Sequence, residues 1–68
     1  MTTENVRIER TKSYGHYRVT GTVNGVEVSC ITTDSEAFDY LNDEDYPEKQ
    51  AAAQDHCEMM LELTFENL

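Results

Sequence analysis

The side chains of this chain that could do chemistry are its carboxylates, two thiols and two imidazoles. Asp55, Glu58 and Glu62 stand at i, i+3 and i+7, and Glu66 follows four residues later. On a helix this spacing makes a line of carboxylates about 5–6 Å apart. Phosphates along one strand of B-DNA recur at comparable intervals. Like charges so arranged destabilise a helix by roughly a few tenths of a kcal/mol per pair. That a small chain tolerates this cost points to a stripe that is used, docked into a basic channel of another protein. Asp43, Glu44 and Asp45 form a consecutive acidic run just before it. They lack the ligand spacing of an EF-hand calcium loop and read as a solvated acidic loop beside the stripe.

The thiols and imidazoles do not assemble into a reactive group. A cysteine nucleophile needs a histidine beside it and a third group to orient that histidine. His56 immediately precedes Cys57, and neighbours on a helix point about 100° apart. Cys30 could approach Cys57 across the core, but His16 projects to the opposite face of the sheet. Two cysteines and two histidines without a C-x₂-C pair lack the spacing of a zinc site. The three glycines are isolated and form no phosphate loop. No catalytic residue, metal ligand or cofactor is therefore expected. Cys30 and Cys57 read as free thiols on core-facing positions, and His56 as a partly buried histidine satisfied by its neighbours.

Tyr14-Gly15-His16-Tyr17-Arg18 interleaves aromatic and basic groups, as RNA-binding sheets do. Tyr17 falls on the core side of its strand, which leaves Tyr14, His16 and Arg18 exposed. Three groups are too few for nucleic acid but suit a protein contact, where Tyr and Arg are favoured anchors. Packing of the turn is the other role open to them.

Charge sets the long-range behaviour. The 68 residues carry 14 acidic and 5 basic side chains, a net of −9. The charge is segregated. Residues 1–33 hold Arg7, Arg10, Lys12 and Arg18 against Glu4, Glu9 and Glu27, a net of +1. Residues 34–68 hold Lys49 alone against eleven acids, a net of −10. Such asymmetry argues for a field that matters to partners. It argues against direct binding of nucleic acid, which needs clustered Lys and Arg. Acidity also serves solubility, and charge alone does not separate the two uses.

The elements that must position these groups follow from pattern. Met1 to Asn5 is polar and expected to fray. Val6 to Arg10 alternates apolar and charged, a half-buried strand with Val6 and Ile8 inward. Thr11 to Gly15 is a turn. From His16 to Thr33, two β-rich runs flank Asn24-Gly25, the dipeptide suited to a type I′ hairpin turn. A two-residue loop pairs Val23 with Val26, Gly21 with Val28, Val19 with Cys30 and Tyr17 with Thr32, an apolar face. Thr22–Glu27, Thr20–Ser29, Arg18–Ile31 and His16–Thr33 form the other. Gly21 leaves a dent where a helix could approach closely. Thr33-Asp34-Ser35-Glu36 reads as a capping box with Thr33 as the cap, opening a short helix to about Leu41. Ala37, Phe38 and Leu41 can face the core.

Pro47 opens a long helix to about Phe65. Met59, Ala52, Leu63, His56, Met60, Ala53, Thr64, Cys57, Leu68 and Leu61 share an arc of roughly 200°. The acids occupy the opposite, narrower arc. The apolar arc is wider than one small sheet covers, so Leu61 and Phe65 are expected at its exposed rim. There they could meet a second copy of the chain, or lie under the short helix.

The fold class expected is α+β: one domain over residues 1–68, a three-stranded antiparallel sheet with a short and a long helix on one face. No run approaches a membrane span and the N-terminus is polar, so the chain reads as full-length and cytoplasmic.

Thr22-Val23-Asn24-Gly25, then Val28, then Thr33-Asp34-Ser35-Glu36 and an aromatic-bearing short helix carry a resemblance. In this layout the chain resembles small phage-encoded inhibitors of bacterial defence, among them a type I-F anti-CRISPR protein with an antiparallel sheet followed by two helices. The match covers about a third of the chain. The C-terminal half here is more acidic and there is one strand fewer, so no binding residue is carried over. What the resemblance implies is a class, a non-enzymatic inhibitor that blocks a nucleic-acid-binding effector, acting in the bacterial host cytoplasm if phage-encoded.

The expectations are thus an acidic binding protein whose partner presents a basic, nucleic-acid-binding surface. The partner-facing residues are Asp43, Glu44, Asp45, Asp55, Glu58, Glu62 and Glu66. A second contact, or a homodimer, would use Tyr14, His16, Arg18, Leu61 and Phe65. The alternative is a homodimeric structural or regulatory protein.

Overall fold

The Asn24-Gly25 turn organises the sheet. In the computed structural model, which describes residues 1–68, Asn24 and Gly25 both take positive φ, 51° and 81°, as a type I′ turn requires. The turn joins β2 (Tyr17–Val23) to β3 (Val26–Thr32) in the expected register. The ladder closes at Tyr17 and Thr32, so the pairing expected between His16 and Thr33 is not part of it.

β1 spans Thr3–Arg10 and pairs antiparallel with β2, giving the order β1-β2-β3. It begins three residues before the expected strand, and the N-terminal segment is tied down rather than frayed. Asn24 donates its backbone N–H to the Thr2 carbonyl at 2.8 Å, and Thr2 donates its own to Asn24 Oδ1 at 3.0 Å. A bulge makes the longer strand possible. Thr3 and Glu4 pair with Val23 and Thr22, whereas Arg7 and Ile8 pair with Thr20 and Val19. Asn5 and Val6 together therefore oppose Gly21, with Asn5 at φ 57°. Asparagine tolerates that conformation better than most residues. The extra residue reverses the alternation of faces. Thr3 and Ile8, which differ in parity, consequently both face the helices.

α1 (Ser35–Tyr40) is capped by Asp34, not by Thr33. Asp34 Oδ1 accepts the N–H groups of Glu36 at 3.0 Å and Ala37 at 3.3 Å. Thr32 is responsible for the shift: its Oγ1 accepts the Asp34 N–H at 3.2 Å and so fixes Asp34 at the cap. Glu36 remains in the first turn, where its charge suits the helix dipole.

α2 (Pro47–Glu66) starts with Pro47 in its first turn, where the missing N–H has no intrahelical partner to lose. Gln50 Nε2 donates to the Leu41 carbonyl at 3.0 Å, which ties the start of α2 to the end of α1. Ala53, Cys57 and Leu61 form its buried line. They meet Val19, Val23 and Val28 of the sheet and Ala37 and Leu41 around α1, with Val6, Ile8, Cys30, Tyr40 and Phe65 at the margin. The molecule is 14 Å across its short axis, room for one helical layer on one sheet. It is α+β, with both helices on one face of the antiparallel sheet.

Two positions differ from the sequence pattern. Leu61, expected at an exposed rim, is fully buried, and Phe65 is half-buried against the core. Met59 and Leu63 are exposed instead, at 53% and 51%. Gly21 explains the rotation. Leu61 Cδ1 lies 2.8 Å from where a Gly21 Cβ would stand, so the leucine fills the dent the glycine leaves. Seating it turns the buried line roughly 60° from the middle of the apolar arc, at about 100° per residue. Val26, expected on the covered face, is 45% exposed where the edge strand meets the turn.

Candidate functional site

The acidic stripe lies along the outer side of α2, but its members are not equivalent. Asp55 and Glu66 are exposed, while Glu58 and Glu62 are half-buried. Glu62 Oε2 accepts the Thr3 hydroxyl at 2.7 Å, which links α2 to the bulged end of β1. That carboxylate holds the fold together as well as carrying charge. In the loop before α2, Glu44 and Asp45 are exposed. Asp43 is half-buried, and its Oδ1 accepts the Asp45 N–H at 3.0 Å. It therefore shapes the loop that presents the other two.

The neutralisation of these charges is the decisive observation. No Lys or Arg comes within 4.0 Å of any carboxylate in residues 34–68. Lys49, the one cation in that half, places its Nζ 4.8 Å from the Tyr40 ring centroid. Tyr40 in turn meets Tyr46 edge-on at 5.6 Å. The lysine is held by an aromatic face while eleven acids stay free of ion pairs with Lys or Arg. The single Lys/Arg–carboxylate pair is Arg7–Glu27 at 3.8 Å, on the outer face of the sheet with both side chains exposed.

Tyr14, His16 and Arg18 gather at the opposite end of the charge distribution, in and beside the β1–β2 loop. Tyr14 is fully exposed. His16 Nδ1 lies 3.2 Å from the Tyr14 carbonyl oxygen, and Arg18 stands opposite Ile31 on the outer face. Tyr17 turns the other way and stacks on Phe38 with centroids 4.6 Å apart. Arg10 lies over the same Phe38 ring at 4.8 Å. Leu61, named with this group as a dimer contact, is buried and has no surface to offer a partner.

Comparison with protein-family models, with curated proteins and with solved structures gives no match.

One polar cluster was not visible in the spacing. His56 Nε2 lies 3.0 Å from Thr32 Oγ1 and 3.9 Å from Asp34 Oδ2. It joins α2, the end of β3 and the cap of α1 at one point. Because one ring nitrogen faces both partners, this is not the two-ended arrangement that orients a catalytic base. Thr32, only 5% exposed, is closed to a substrate. Thr32, Asp34 and His56 come together only through the register and the cap, so nothing local in the sequence marks them.

The thiols are quiet. Burial pushes the Cys57 thiol from about 9.0 up to about 11, with further upward contributions from Cys30, Asp34 and Glu58. Burial also raises Cys30, against a smaller lowering by its hydrogen bond with Thr64. Both are free cysteines. For both thiols burial disfavours the thiolate form. No three His, Cys, Asp or Glu side chains gather closely enough to hold a metal ion.

Proposed function

We propose that this protein is a non-enzymatic acidic inhibitor of the anti-CRISPR kind, which docks on the basic surface of a nucleic-acid-binding effector and occupies the place of the nucleic acid. One observation carries the reading. Eleven carboxylates on residues 34–68 have no Lys or Arg partner, and Asp55, Glu66, Glu44 and Asp45 are exposed. An exposed ion pair is worth at most about 1 kcal/mol, so the reading requires many carboxylates acting on one basic surface. A stripe down a helix, extended by a shaped loop, supplies that arrangement. Its field extends over a Debye length of about 8–10 Å at physiological salt and speeds the encounter. No helix is long and apolar enough to cross a membrane.

The test uses the exposed carboxylates and spares Glu62, whose loss would also disturb Thr3. The immobilised chain is challenged with bacterial lysate and eluted with rising salt, beside an Asp55→Lys/Glu66→Lys chain. The expected result is a nucleic-acid-binding protein retained only by the native sequence and released early in the gradient. That protein should also lose its nucleic acid when the free chain is added. Retention indifferent to salt, or equal retention by the reversed chain, would overturn the reading.

A further inference from the structure

We propose that the end of the sheet opposite the acidic helix carries an anion site, fitted to a diphosphate group. Lys12 and Arg18, with Thr11, Ser13, His16, Ile31 and the Arg10 position, line an open depression of about 670 Å³; the Arg10 guanidinium itself lies over the Phe38 ring. No carboxylate lines it. Lys12 and Arg18 are two of the five Lys and Arg residues in a chain with 14 acids, yet neither is within 4.0 Å of a carboxylate. Glu9 sits directly across the ladder from Arg18 and still makes no pair with it. In so acidic a molecule, two unpaired cations beside one concavity are a local reversal of sign.

The donors suit oxyanions. The Arg18 guanidinium suits phosphate as a bidentate fork, the Lys12 ammonium supplies a point charge, and the Ser13 hydroxyl adds a neutral donor. The volume falls in the range of small-ligand sites, about 300–1,000 Å³. It exceeds what a lone phosphate fills and accepts two linked phosphoryl groups. The loop is also set in advance. Thr11 Oγ1 accepts the Ser13 N–H at 3.1 Å and donates to the His16 carbonyl at 2.9 Å. The His16 N–H reaches the Ser13 carbonyl at 3.1 Å, and Gly15 turns the chain at φ 79°. A loop already folded pays little ordering entropy when the anion arrives. The site goes beyond the acidic-face reading and shares no residue with the carboxylates tested there.

Amide chemical shifts of the full chain, followed during addition of sodium pyrophosphate at constant ionic strength, test the proposal. Saturable shifts confined to residues 10–18 and Ile31 are expected. Lys12→Ala/Arg18→Ala should weaken the apparent affinity about tenfold or more, with the remaining resonances unmoved. Lys12→Ala alone, in the loop, should weaken it in the same direction. A parallel titration with ADP separates a free diphosphate from a nucleotide. Saturation by either ligand with loss in the variants supports the site. Shifts that never saturate, that spread equally to Lys49 and the N-terminus, or that survive both variants overturn it.

Discussion

Gly21 shows how much can rest on a missing methyl group. A Cβ there would stand 2.8 Å from Leu61 Cδ1 and 3.1 Å from the Glu4 carbonyl oxygen. Leu61 is fully buried, so it has little freedom to retreat. Gly21→Ala is expected to destabilise by about 1–3 kcal/mol in urea unfolding, after a partly offsetting gain from a stiffer unfolded chain. Combined with Leu61→Ala, the two costs should be less than additive, because the second change empties the space the first needs. Full additivity would show that the glycine and the leucine do not share one seat. The sequence marked Gly21 as a dent, because the register follows from a two-residue turn. It did not mark Leu61 as the occupant. The apolar arc of α2 admits several rotations, and only the three-dimensional seat chooses among them.

Cys57 sets a pH dependence at the same scale. Its folded pKa, about 11, lies above the ordinary value near 9.0. Above pH 9 the unfolded thiol ionises while the folded one holds its proton, so the unfolded state binds fewer protons. The stability contributed is whole below about pH 9 and is lost as pH rises toward about 11. Melting temperatures of native and Cys57→Ala chains, measured across that alkaline window, should fall more steeply for the native chain. Parallel slopes would contradict it.

Helix starts are the element-scale lesson. A capping box at Thr33–Glu36 and a cap at Asp34 are one residue apart, and pattern favours the former. The Thr32 hydroxyl at the end of β3 decides for the latter by accepting the Asp34 N–H. Asp34→Ala is expected to cost about 1 kcal/mol, whereas Thr33→Ala should stay close to neutral. Chemical denaturation of the two variants checks the assignment, and the reverse order would restore Thr33 as the cap. The bulge in β1 escaped the sequence for a similar reason. Thr3-Glu4-Asn5 has no apolar alternation, and its place in the sheet comes from Asn5 at positive φ and from hydrogen bonds to the Asn24 turn. The hairpin itself was legible because turn chemistry and binary pattern agree there.

At the scale of the whole molecule, charge and layers divide the same way. Residues 1–33 build the sheet and hold four of the five cations; residues 34–68 build the helices and hold eleven of the acids. The acidic half was fully legible, since composition needs no geometry. The separate state of each carboxylate was not. Glu62 binds Thr3 and Asp43 shapes its loop, which leaves Asp55, Glu66, Glu44 and Asp45 as the exposed members of the partner-facing residues. The cationic depression was hidden too, because Lys12 and Arg18 come to the same end of the sheet only once β1 and β2 pair.

The meander order has a consequence for how the molecule assembles. Each strand pairs with its neighbour in sequence, so the sheet can zip through short loop closures before any distant segment arrives. The long helix comes last in the chain and packs on the face the three strands build. Folding times on the order of milliseconds follow for a mixed domain of this topology. On this order of assembly, Leu61 is expected to reach its place beside Gly21 after the rate-limiting step. Its truncation should speed unfolding while leaving the folding limb of the denaturant kinetics almost unmoved. The glycine seat thus acts as a latch on a sheet already formed, setting how long the native state lasts more than how fast it is reached.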